Sequence, residues 1–172
     1  LVGEHDHRVD GFLGHPKSYY SAHFAASDRF LLETCMYFPF VTAKNLIGFG
    51  EEHSELMRAF PRLQMILVLA FDPALAGNRV TLGRDGEPVF DYRLGDDVLD
   101  TLHRAMLASA RVFFAAGARR VHVPAATRFL IDAADVGRLE ELVPRSGVRP
   151  GRLSITSAHL MGGCRMGSGP SD

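Results

Sequence analysis

The stretch from Arg62 to Asp72 constrains the fold more than any other. Leu63, Met65, Leu67, Leu69 and Phe71 alternate with Ile66, Val68 and Ala70. In an extended chain, successive side chains point to opposite faces, so both faces of this segment are apolar. That predicts a central strand covered on both sides. The unbroken apolar run Met65–Phe71 is far too short to cross a bilayer, and no transmembrane segment is expected. Covering a two-sided strand takes a sizeable core, and 172 residues are enough for one domain that has it.

The rest of the composition narrows the class. An apolar share of 47% and a charged share of 23% are those of an ordinary globular chain. With 19 basic and 20 acidic residues the formal charge is −1, which gives no electrostatic case for nucleic acid. Cys35 and Cys164 make neither a disulfide framework nor a zinc site, so a reducing, cytoplasmic setting is the default. The chain begins at Leu1 and not at Met, and both ends read as cuts in a longer protein. Targeting signals could therefore be missing with the N-terminus.

Elements follow from periodicity. Leu1 to Asp28 has no clear period; Gly11, Gly14 and Pro16 mark a turn-rich connection. Glu4-His5-Asp6-His7, with His15 and His23, invites a metal reading, but the spacing does not make those ligands converge. A solvated or subunit-facing loop is expected there, and no metal. Phe30 to Phe40 reads as a buried strand ending near Pro39. Gly48-Phe49-Gly50 precedes a short helix closed by Pro61, with Glu51 and Glu52 in the first turn, where the helix dipole accounts for them. Position 53 is His, so Gly48 and Gly50 are not a dinucleotide fingerprint.

Asn78 to Leu94 reads as a hairpin turning at Arg84–Pro88, with one wet face. Asp96 or Asp97 is expected to cap a long helix whose stripe Leu99, Leu102, Met106, Ala110 and Phe113 is core, with Gly117 as its stop. His103 and Arg104 are placed on its solvated side. Val121-His122-Val123 is a short strand, its histidine solvated or satisfied in place, and Asp135 to Val143 is a second helix. Arg152 to His159 reads as a last strand, in which Leu153, Ile155, Ser157 and His159 share a face. The fold class is α+β, a mostly antiparallel sheet with helices packed on it.

The candidate chemistry sits at the end, in His159-Leu160-Met161-Gly162-Gly163-Cys164-Arg165-Met166-Gly167. A histidine takes or gives a proton near neutral pH, and adjacent glycines let the backbone pass close to a bulky ligand. Pattern alone favours an ordinary glycine turn beside a solvated histidine. Cys164 lacks an orienting partner for a nucleophile and reads as structural.

This stretch resembles the His-x-x-Gly-(Thr/Gly/Ser)-Cys-(Arg)-Met-Gly signature of the glucose–methanol–choline (GMC) flavoprotein oxidoreductases. Gly163 stands where the glucose-oxidase branch usually has threonine, and the form is more similar to the cholesterol-oxidase and long-chain alcohol oxidase branches. From about Phe30 the order of elements is loosely similar to the family's substrate domain. The resemblance implies a connection from an FAD domain over residues 1–28, a substrate-binding domain over 29–157 and the start of a catalytic segment over 158–172. It implies FAD as cofactor, with its site mostly outside this segment, and a small-molecule alcohol or sterol-like substrate. His159 matches the family's catalytic base; Gly162 and Gly163 would approach flavin or substrate. A second catalytic residue would lie past Asp172. The same resemblance allows a lyase that keeps FAD without net redox, and a free-standing α+β binding module is the reading from another class.

Overall fold

The computed structural model describes residues 1–10, 17, 19–157, 159–161 and 166–169. Its strands are β1 (Val2–Glu4), β2 (Tyr20–Ser21), β3 (Phe30–Cys35), β4 (Leu63–Ala70), β5 (Arg79–Leu82), β6 (Pro88–Asp91), β7 (Arg120–His122) and β8 (Ile131–Asp132). Its helices are α1 (Ala25–Asp28), α2 (Pro39–Asn45), α3 (Glu51–Arg58), α4 (Asp96–Ala115) and α5 (Leu139–Leu142). A six-stranded sheet runs β2-β3-β4-β1-β7-β8, and every pairing in it is antiparallel. With helices packed on that sheet, the chain is α+β.

β4 is central and buried from both sides, as its double apolar pattern requires. Leu63 and Met65 join Val2, Cys35, Leu46, Leu56 and Phe60 in a core on one face. Ile66, backed by Val68 and Ala70, joins Phe30, Leu32, Val121 and the α4 stripe on the other. Phe71 lies just past the strand and is exposed.

α4 carries the larger core. Leu99, Leu102, Met106, Ala110 and Phe113 are all buried, with Val98 and Ala105 beside them. Its N-cap is Gly95 and not an aspartate; Asp96 and Asp97 fall in the first turn, where they face the positive end of the helix dipole. The C-terminal end closes as a Schellman motif: Gly117 takes φ +84°, its N–H donates to the Phe114 carbonyl (3.0 Å), and Ala118 N–H donates to that of Phe113 (2.9 Å). His103 is half-buried rather than solvated, and its Nε2 donates to the Val143 carbonyl at 2.7 Å.

Four local expectations are corrected. Residues 2–4 are not a connection but a strand inserted at the middle of the sheet, between β4 and β7, and Glu4 and His5 are buried, not solvated. The strand from Phe30 ends at Cys35; Pro39 opens α2, where its missing N–H would have had no intrahelical partner, and Phe38 and Phe40 are exposed. β5 and β6 form the expected hairpin, but as a separate two-stranded sheet wet on both faces. Arg152 to Ser157 is not a strand. Leu153 makes one bridge to Pro150 and is buried, whereas residues 154–157 are irregular and exposed. The parity reading needed a neighbouring strand to hold that segment extended. The second helix from Asp135 is present as a 3-10 turn over Ala133–Arg138 running into α5.

Candidate functional site

His159 sits at a bend, exposed to solvent, rather than facing inward at the end of a strand. Gly162, Gly163 and Cys164 lie outside the described residues. Glu51 and Glu52 stand in the first turn of α3, as expected, and Glu51 is engaged by Arg58. Cys35 is a buried structural thiol, pushed up to about 11 by burial.

Two histidines flank one aromatic ring. His122, in β7, is buried; its Nε2 donates to the Ile47 carbonyl at 3.3 Å, and Phe129 meets its ring edge-on with centroids 5.0 Å apart. Burial lowers its pKa to about 4, so the imidazole is neutral at physiological pH. It is satisfied in place. His53 donates from Nε2 to the Ala43 carbonyl at 2.9 Å. Phe129 lies against Gly48, whose φ of +109° and contact with that ring leave no room for a Cβ. This loop is packed by an aromatic side chain; it is not a phosphate cradle.

The densest polar constellation was not visible in the sequence. The Glu4 carboxylate is fully buried and receives hydrogen bonds from Arg62 (2.9 Å), Arg119 (2.6 Å) and Arg120 Nε (2.8 Å). Arg120 also reaches Glu55 of α3 at 2.9 Å. Burial alone would push the Glu4 carboxyl up, but the three guanidinium groups outweigh it and hold it below the usual carboxylate range. The register explains the convergence. Glu4 pairs with Leu63 on one side and Arg120 on the other, so Arg62 and Arg119 flank the same point. A run of arginines beside strand starts was the available signal, yet nothing local in Val2-Gly3-Glu4 marks it.

On the far side of Arg120 lies an open pocket of about 270 Å³, lined by Glu52, Glu55, Arg120, Arg128, Phe129 and Asp132 among others. Arg128 is held by Asp135. The next residue after β1, His5, is buried, both its ring nitrogens have no hydrogen-bond partner among the described residues, and its ring centroid is 5.2 Å from that of His7. Burial and His7 both lower its pKa. Among the described residues no group of His, Cys, Asp and Glu could hold a metal ion.

No protein-family model, curated protein or solved structure matches this chain.

Proposed function

We propose that this chain is the substrate-side segment of an FAD-dependent, GMC-type enzyme that oxidises the CH–OH group of an alcohol or sterol-like substrate. The observation that carries the reading is the run from His159 to Gly167, which has His, Gly, Gly, Cys, Arg, Met and Gly in the register of the family signature. The antiparallel α+β architecture agrees with it. Oxidising an alcohol removes a hydride from carbon and a proton from oxygen. His159 is the base that takes the hydroxyl proton, for which an imidazole has a suitable pKa without large tuning. FAD supplies the hydride acceptor and is held mainly by residues outside this segment.

The test is anaerobic mixing of alcohols with the flavin-loaded polypeptide that carries this segment. Bleaching of the oxidised flavin by an alcohol is the expected result. Retained flavin that no alcohol reduces would point instead to the lyase, and a polypeptide that holds no flavin to the binding module.

A further inference from the structure

The β5–β6 hairpin projects from the body as its own two-stranded sheet, tied at its base where Asn78 exchanges hydrogen bonds with Arg93 (2.9 and 3.0 Å). Directly opposed residues share a face. Val80 opposes Phe90 and Leu82 opposes Pro88, so these four, with Tyr92 two residues beyond Phe90, lie on one side. Leu82 is 79% exposed and Phe90 71%. The other side carries Arg79 opposite Asp91 and Thr81 opposite Val89. An isolated hairpin is marginal in water, and one with an uncovered apolar face needs a cover.

The chemistry of that face selects the cover. It holds no charged side chain, so it offers nothing to an acidic or basic ligand or to a lipid headgroup. Across residues 78–94, Arg79, Arg84 and Arg93 are balanced by Asp85, Glu87 and Asp91, so two copies meet without net repulsion. Interfaces between identical subunits are the most apolar class, and a two-fold axis lets one face pack on its own copy. Full burial of the five side chains would cover about 500 Å² per copy, or on the order of 1,000 Å² for a pair, the lower bound of a specific interface.

We infer that the apolar face of this hairpin is the contact by which two copies of the chain associate, one hairpin stacked on the other. The inference is independent of any flavin chemistry. Sedimentation velocity across the micromolar range tests it. The chain is expected to pass from monomer to dimer, and Leu82→Glu combined with Phe90→Glu to weaken association at least tenfold. Thr81→Glu, which puts the same charge on the opposite face of the same strand, is expected to leave the dimer intact. A monomer at every concentration would overturn the inference. So would a dimer untouched by the double variant, or one abolished equally by Thr81→Glu.

Discussion

Glu4 is a carboxylate removed from water and surrounded by Arg62, Arg119 and Arg120, and the sheet's centre depends on that balance. Removing it leaves three guanidinium groups crowded at the end of β1, with only Glu55 beside Arg120 and Asp6 beside Arg119 as counter-charge. Breaking one side of a buried ion pair costs about 3–5 kcal/mol, and Arg62 and Arg119 remain partly wet, so Glu4→Ala is expected near the lower figure in urea unfolding. His122 makes a separate prediction. Its folded pKa of about 4 lies below the ordinary 6.5, so as pH falls the unfolded chain takes up the proton first. Stability is therefore complete above pH 6.5 and lost as pH falls toward 4, by roughly 3 kcal/mol at full extent. His5 adds in the same direction. Glu4, with its lowered pKa, adds a loss that begins as pH falls through the ordinary carboxylate value of 4.5 and continues below it. The slope of stability against pH between 6.5 and 4 should shrink in His122→Gln. An unchanged slope would mean that this imidazole does not resist protonation.

At the scale of elements, α4 is held by its stripe and by its ends. Gly117 takes a left-handed conformation that an L side chain resists, and its site is otherwise open, so Gly117→Ala is expected to cost about 1 kcal/mol through backbone strain alone. Gly3 presents the opposite case: its φ is ordinary, but a Cβ there would overlap the ring of buried Phe113, where α4 rests on β1. Overpacking of that kind costs about 1–3 kcal/mol, so Gly3→Ala should lower the melting temperature more than Gly117→Ala does. These elements differ in how far the sequence announced them. β4 and α4 were legible because long periodic patterns survive any local irregularity, and Gly117 was legible because few residues other than glycine end a helix that way. β1 was not, since three residues ending in a glutamate carry no period, and the arginines that make the burial tolerable lie 58 to 116 positions away. Pro39 misled because proline ends a strand and begins a helix with equal ease. The strand read into Arg152–His159 shows the limit of parity: alternation gives faces only where a partner strand exists.

For the whole molecule, one sheet with a core on each face gives a firm body, from which the β5–β6 hairpin and the segment bearing His159 project. Among the described residues no helix is long and apolar enough to cross a membrane. The absence of a glycine-rich phosphate cradle among those residues leads to a prediction for the isolated chain. It should hold no stoichiometric FAD and oxidise no alcohol, checked by flavin absorbance after dialysis against excess cofactor. Architecture was legible from the sequence at this scale. The candidate site was read only from the nine residues from His159 to Gly167, because a short motif carries no periodicity for the fold to register. The most direct measurement of the central claim is the rate of anaerobic flavin reduction by alcohol in the flavin-loaded polypeptide, compared between the natural chain and His159→Ala. A base in the hydride-transfer step contributes roughly 10²–10⁴-fold, so the variant should keep its flavin and be reduced at least about 100-fold more slowly. An equal rate in the two would contradict His159 as the base.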